Sequence, residues 1–404
     1  MSNNDTPGVN MEEASMVTEP IEGVGTSTVA FVGGAPQGPV LEPTLVTTWD
    51  QFEEVFGVLD FAGKGFLLPH AVTLFFTNGG QRAYIVRVTE DSAKGRNGVA
   101  YRNGLTCLEA LNDINLVAMP DTTDILDQQE LIRHCEKIQY RFAIIDSPSD
   151  PREVGDAHDV RLQRLKLMSV KGYAAIYYPW LQIQDPRTKR IRVVPPCGAV
   201  AGIYARSDLQ KGVNKAPANE PVLGVLETEV AVDQADQQEL DRIQVNVIRK
   251  FSGRGILVWG AKTISNDPIL KYISVRRTAI YLEKSIFDGT QWITFEPNDE
   301  TTWALIRQPI LEFLQKEWKD GKLVGPKAQD AYFVRCDRTT MTQADIDNGT
   351  LIVEVGVALI RPAEFVILRI AHQMERVGPR NLVDKTLDGT KKKKHYYMAR
   401  TMKE

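Results

Sequence analysis

Cysteine is scarce in this sequence. Its four residues, Cys107, Cys135, Cys197 and Cys336, stand far apart. None has the close spacing of a zinc site or a disulfide framework, so the thiols are expected to be reduced, from a cytosolic folding compartment. Histidine is also thin: His70, His134, His158, His372 and His395 show no metal-ligand spacing to one another. His134 and Cys135 are adjacent, but neighbouring residues of a helix point about 100° apart and do not form a dyad. The Gly-x-Ser-x-Gly pentapeptide of a nucleophile elbow does not occur. Neither sign of charge dominates. With a net charge of −4, no global basic field recruits nucleic acid. No apolar run has the length of a membrane span, and the polar, acidic opening "MSNNDTPGVNMEEASM" is not a signal peptide. No internal repeat occurs at solenoid periods.

What is present is an ordinary globular composition, 43% hydrophobic and 25% charged over 404 residues. That suits two or three domains or one elaborate one. Residues 1–25 lack sustained periodicity and read as an extended arm. "TSTVAFVGGAPQGPV" is a buried strand stopped by Gly33, Gly34 and Pro36. "LVTTWDQFEEVFG" is a strand and then a helix capped by Thr48 or Asp50. A helix over 69–78 and a strand over 82–88 repeat the pattern. After a polar linker near 90–104 come strands at 116–119, "RFAIIDSP" and "YAAIYYPW", with helices over 127–139 and near 157–169. That alternation implies crossovers and a largely parallel sheet. "PPCGAVAGIYARSD" reads as a helix of small residues lying close to a neighbouring surface. Residues 207–245 read as irregular, followed by strands at 245–250 and 256–259, a helix over 271–288, and "GTQWITFEPND" as a strand. The helix over 301–320 has a wide apolar stripe, and Pro309 is expected to bend or break it. "AYFVRCD", "TLIVEVGVALI" and "FVILRI" are strand-like, and the end of the chain is polar and basic.

Three stretches invite chemistry. "GRGILVWGAKT" (253–263) approaches a phosphate-binding loop, but Ala261 separates Gly260 from Lys262, and Ile256 to Trp259 read as a buried strand. "FEPNDE" offers Glu296, Asp299 and Glu300 to a magnesium ion, against the plainer reading that Asp299 or Thr301 caps the next helix. "KKKK" at 391–394 could touch nucleic acid, membrane phosphate or an acidic protein, against the plainer reading of a solvated tail. A nucleotide- or metal-using α/β enzyme is the alternative these stretches allow. A large α/β core with two extended ends and no assembled active centre fits a structural subunit better, because extended ends can add strands to a neighbour's sheet edge.

The sequence resembles the contractile tail sheath proteins of phages, tailocins and phage-like extracellular injection systems. The resemblance runs from about residue 5 to 375. Its segments come in order: "TPGVNMEEAS", "IEGVGTSTVAFVGGAPQGPVLEPTLVTTWDQFEEVFG", "LPHAVTLFFTNGGQRAYIVRV", "PPCGAVAGIYARSDLQKGVNKAPANEPV", "IQVNVIRKFSGRGILVWGAKTIS", "YISVRRTAIYLEKSI", "TQWITFEPND" and "PAEFVILRI". In that family "WGAKT" belongs to the sheath core and binds no nucleotide. "KAPAN" looks like a structural turn whose asparagine tolerates unusual backbone angles.

The resemblance implies a mixed α/β sheath core with a smaller α/β subdomain and extended arms that add strands to neighbouring subunits. The expected division is an N-terminal linking arm (1–25), the first part of the core (26–95), an α/β subdomain (96–206), the C-terminal core (207–362) and a C-terminal linking arm with a basic tail (363–404). It implies stacked hexameric rings around an inner tube, contraction that drives the tube through an envelope, and partners among the tube, baseplate and tail terminator proteins. It implies no cofactor, metal, nucleic acid or membrane insertion. Assembly is expected in the bacterial cytoplasm, as part of a phage tail or a released particle.

Arm strands are expected at Val9–Ser15 (Val9, Met11, Glu13) and at Phe365–Ile370 (Phe365, Val366, Ile367, Leu368, Ile370), with hinges near Pro20–Gly25 and Arg361–Pro362. In relatives the element matching 301–320 faces the tube, which makes Lys316, Lys319 and Lys322 candidates for tube carboxylates. Two departures stand out: the chain continues past "FVILRI" to Glu404, and it lacks large surface insertions, which favours a compact injection-system sheath.

Overall fold

The computed structural model describes residues 20–57, 66–89, 99–149, 160–185, 189–359 and 365–374. In chain order the first strands are β1 (Val29–Gly33), β2 (Thr44–Val46), β3 (Ala83–Arg87), β4 (Leu116–Ala118), β5 (Phe142–Asp146) and β6 (Ala174–Tyr178). There follow β7 (Leu181–Gln184), β8 (Ile191–Val194), β9 (Glu220–Pro221), β10 (Glu227–Thr228), β11 (Val245–Phe251) and β12 (Gly255–Val258). Between them lie α1 (Trp49–Phe56), α2 (Leu68–Thr77), α3 (Val99–Cys107), α4 (Ile125–Ile138), α5 (Val160–Lys166), α6 (Cys197–Lys211) and α7 (Gln234–Arg242).

Nine strands make one sheet in the order β2-β3-β1-β4-β5-β6-β11-β12-β9. The six from β3 to β11 run parallel, and β2, β12 and β9 add antiparallel at the two edges. β1, β5 and β6 are buried at every position, which explains their near-continuous apolar sequences. Successive strand residues face opposite sides, and β1 shows where the helices go. Phe31 packs edge-on against Phe75 of α2, with ring centroids 5.7 Å apart, whereas Val32 meets Gly104 of α3. Helices therefore cover both faces. The small residues of α6 have the expected use: a Cβ on Gly198 would sit 2.1 Å from the Ala71 carbonyl oxygen, and one on Gly202 would sit 2.4 Å from that of Phe75.

The chain then builds a second core from α8 (Ile273–Gly289), α9 (Glu300–Lys319), α10 (Ala328–Ala331), β13 (Tyr332–Arg335), α11 (Gln343–Asp347), β14 (Thr350–Ala358) and β15 (Phe365–Gln373). The last three strands form an antiparallel sheet, β13-β14-β15. α8 is the wall between the cores. Ile273 and Ile280, seven residues apart on one stripe, join the large-sheet core, while Ala279, Leu282 and Ile286 join the second.

The nine-stranded sheet draws strands from both sides of 95/96 and of 206/207. Some local expectations differ from what the chain does. "GTQWITFEPND" holds a short 3-10 helix, Gln291–Phe295, and no strand. A strand would put Ile293 and Phe295 on one face, but Ile293 is fully buried and Phe295 is 69% exposed. Pro309 lies within α9 without ending it. The span 207–245 is not wholly irregular, since α7 starts at the N-cap Asp233.

Candidate functional site

The phosphate-loop-like stretch is a β-hairpin. β11 and β12 pair from Ile248↔Val258 to Phe251↔Gly255, and Gly253 and Gly255 take left-handed φ values of 74° and 78° at the turn. The strand residues give their N–H groups to the ladder, not to a common anion. Lys262 Nζ is held 2.6 Å from Asp241 Oδ2, and Thr263 Oγ1 donates to the Leu270 carbonyl at 2.8 Å. The nucleotide reading of this motif is thereby overturned. In "FEPNDE", Asp299 Oδ1 accepts the Thr302 N–H at 2.9 Å as the N-cap of α9, and Glu300 pairs with Arg338 at 3.2 Å. Asn219 of "KAPAN" has a φ of 59°, the unusual angle expected of it, and Lys215 donates to the Ala218 carbonyl at 3.0 Å across the turn.

Among the described residues no group of three or more His, Cys, Asp or Glu is placed to hold a metal, and no helix is long and apolar enough to cross a membrane. The described histidines are buried. Burial lowers the pKa of His70 and His372 to about 4 and that of His134 to about 3; a neighbouring arginine adds to the effect at His70 and His134. His134 contacts Arg141 at 2.7 Å, and burial pushes the Cys135 thiol up to about 12, so these neighbours are not a dyad. His158 and His395 lie outside the described residues.

An open parallel sheet places its ligand crevice beyond the carboxyl ends of the strands, where the strand order reverses. Here that point lies between β1 and β4, because the chain goes from β1 to β3 on one side and returns to β4 on the other. The crevice is filled by the protein's own carboxylate. Asp121, just past β4, accepts the Gly34 N–H at 2.8 Å and the Leu67 N–H. Burial pushes its pKa up to about 6, and the N–H groups of Leu67, Gly34 and Leu68 hold it back. Asp146, at the end of β5, accepts the Cys197 N–H at 2.8 Å at the start of α6, and burial pushes it up to about 7. An acidic residue a few positions past an apolar strand was the available signal for this plug, and sequence reasoning missed it.

The features left for function are the two ends and the edges they reach. Pro20–Gly25, expected as a hinge, is fastened from Ile21 onward: Ile21 is buried against Gly289, and the Val24 N–H donates to Ser285 Oγ at 3.1 Å. Thr26 is bound into a buried ion pair. Arg277 of α8 grips Asp208 of α6 at 2.9 and 2.6 Å and donates to the Thr26 carbonyl at 2.9 Å, while the Thr26 hydroxyl donates to Asp208 at 2.6 Å. Asn115 completes the seat, accepting from Thr28 N–H at 3.0 Å and donating to the Gly25 carbonyl at 2.8 Å. The root of the N-terminal segment is therefore tied to α6 and α8 through one junction.

Val9, Met11 and Glu13 lie outside the described residues, as do Arg361 and Pro362. Phe365, Val366, Ile367, Leu368 and Ile370 all lie in β15, which pairs with the chain's own β14 from Ala358↔Phe365 to Thr350↔Gln373. The edge this segment offers to another chain is therefore its outer one, which no described strand covers. Lys316 and Lys319 are exposed on the last turns of α9. Lys322 is not free: it pairs with buried Glu317 at 2.6 Å and lies over the Tyr281 ring at 5.3 Å.

The described residues thus offer a filled crevice, a fastened N-terminal root and an uncovered strand edge, and comparisons with known proteins supply the family. The family model "Phage tail sheath protein central domain" matches residues 96–264, and "Phage tail sheath C-terminal domain" matches 265–373. The sheath complex of an extracellular contractile injection system, PVC, in its contracted state is 30% identical over 91% of this chain and 98% of that one, with a TM-score of 0.72. The contracted helical sheath of the anti-feeding prophage is 31% identical over 91% of this chain and 99% of that one, with a TM-score of 0.70. The tail sheath protein of Salmonella phage ViI is 25% identical over 58% of this chain and 40% of its own length. That of Vibrio phage KVP40 is 27% identical over 48% and 29%. The chain thus spans less than half the length of these two phage relatives. It belongs to the phage tail sheath family.

Proposed function

We propose that this protein is the structural subunit of a contractile sheath. Copies polymerise as stacked hexameric rings around an inner tube, and the sheath shortens to drive the tube through a target cell envelope. The observation that carries this reading is the likeness, at 30–31% identity over nine-tenths of the chain, to two sheaths described in their contracted state. The work comes from packing. If each subunit gains a few kcal/mol of contact in the contracted arrangement, hundreds of subunits release a large total with no nucleotide consumed. Of the expected linking arms, 1–25 and 363–404, we assign the stretches before Pro20 and after Met374 as linking segments, with the outer edge of β15 as an acceptor of a neighbour's strand. Lys316 and Lys319 are the candidates for the tube-facing contact. The baseplate and a tail terminator are the expected end partners, with assembly in the bacterial cytoplasm and use in a phage tail or released particle.

The test is co-expression with the tube protein and electron microscopy of the product. Long tubes of two lengths, extended and contracted, are expected. Deleting residues 1–20 should leave a soluble folded protein that forms no sheath; contractile sheath from the truncated chain would overturn the arm assignment.

A further inference from the structure

Gly23, at the root of the N-terminal segment, stands over the hydroxyl of Tyr281 in α8: a Cβ there would lie 2.1 Å from Oη and 2.9 Å from Cζ. Its φ lies outside the left-handed region, so the close approach accounts for the glycine. The next residue reinforces the contact. The Val24 N–H donates to Ser285 Oγ at 3.1 Å, and Ser285 Oγ donates to the Tyr281 carbonyl at 2.7 Å. The same tyrosine reaches α9. Its hydroxyl donates to Glu317 Oε1 at 3.2 Å, and its ring meets that of Phe313 with centroids 6.3 Å apart. Burial, and after it the Glu317 carboxylate, push the Tyr281 pKa up and keep the hydroxyl a donor.

Glu317 is buried on the inner side of the turn whose outer side carries the exposed Lys316 and Lys319. Its carboxylate is shared between Tyr281 Oη and Lys322 Nζ, the latter at 2.6 Å, and the Lys322 N–H closes on the Glu317 carbonyl at 3.0 Å. One hydroxyl thus touches both the root and the last turn of α9. It has room to move, because a cavity of about 530 Å³ lined by Val24, Gly25, Tyr140, Ile280 and Tyr281 opens beside it. We propose that Tyr281 is a positioning residue that couples the root of the N-terminal segment to the end of α9 carrying Lys316 and Lys319. When the root presses on the hydroxyl, the bond to Glu317 is lost and the last turn of α9 loosens. Coupling of this kind is reciprocal, so a load on that turn is felt at the root. This rests on the sheath reading above for what that helix end meets, and adds the path by which the root reaches it.

The test is hydrogen exchange of the full-length protein in solution, read by mass in peptides covering residues 316–322. Tyr281→Phe keeps the ring and removes the hydroxyl, and exchange there should rise about tenfold. Gly23→Ala, which drives the hydroxyl aside, should raise it by a similar factor. Added to Tyr281→Phe, Gly23→Ala should change it by less than about twofold, because the group that carries the displacement is gone. Peptides of β5, which lies in the other core, are the control and should match the parent. Unchanged exchange at 316–322 with Gly23→Ala overturns the coupling. An equal effect of Gly23→Ala with and without the hydroxyl sends the signal by another route and overturns the role of Tyr281. A rise that includes β5 marks general loosening and overturns the specific path. Exchange is read without the tube, so these outcomes stand apart from the sheath reading, which falls instead if the parent chain forms no sheath on co-expression with the tube.

Discussion

Asp208→Asn tests whether the arm root is held by charge. Asp208 and Arg277 are each about 4% exposed, and the pair is joined by bonds of 2.9 and 2.6 Å with Thr26 bound to both partners. Burial alone pulls the Arg277 pKa down; Asp208 more than restores it. Asparagine keeps the shape of the aspartate and removes its charge, leaving a guanidinium buried without a counter-ion. Such a change costs about 3–5 kcal/mol. Replacing both partners, Asp208→Leu with Arg277→Met, removes two desolvation penalties with the attraction. The double variant should therefore cost well below the sum of the single changes, with roughly 1 kcal/mol for the lost acceptor of the Thr26 hydroxyl. Urea unfolding of the four proteins gives the cycle directly. A single-variant loss under about 1 kcal/mol, or a double variant as costly as the sum of the singles, would refute the reasoning.

Other predictions follow from the same contacts. His372 is buried against Phe287, 5.5 Å away, and Thr290. Burial lowers its pKa from 6.5 to about 4, so the unfolded chain takes up its proton first, and the stability it contributes is complete above pH 6.5 and lost as pH falls toward 4. His372→Phe should flatten the pH dependence of the unfolding midpoint in that window relative to the parent, by up to about 3 kcal/mol at its acid end; an unchanged slope contradicts this. Asp146, raised to about 7 by burial, acts with the opposite sign, since its unfolded form ionises first and stability falls as pH rises from 3.8 toward 7. The comparison between variants is therefore more telling than either curve alone. Gly198→Ala places a methyl 2.1 Å from the Ala71 carbonyl oxygen and should cost about 3 kcal/mol or more, measured by thermal unfolding. Asp121→Ala strands the N–H groups of Gly34 and Leu67 and should cost at least about 2 kcal/mol, measured by urea unfolding.

The parts of the fold legible in the sequence were those with strong local signals. β1, β5 and β6 are apolar throughout because both sheet faces are covered, and α9 begins where Asp299 supplies a cap. The Gly198/Gly202 helix announced its close packing through its small residues. What failed was local pattern overridden by packing. "TQWITF" has strand composition, yet Thr290 bonds back to the Ile286 carbonyl at 2.6 Å and turns the chain into a 3-10 helix. The hairpin β7–β8 is not announced by the sequence although "LQIQ" alternates, because the charged residues between its strands read as loop. The Asp121 plug and the Arg277–Asp208 junction join residues far apart in sequence, and no periodicity encodes them. Lys322 shows the converse: a lysine just past a helix end looks solvated, but buried Glu317 claims it.

The most direct test is a cryo-EM map of the assembled sheath in which the strand beside β15 is traced to its chain of origin. The account predicts that it leads to a terminal segment of another copy. A bare outer edge on β15, with both ends of every chain folded onto their own subunit, would contradict it.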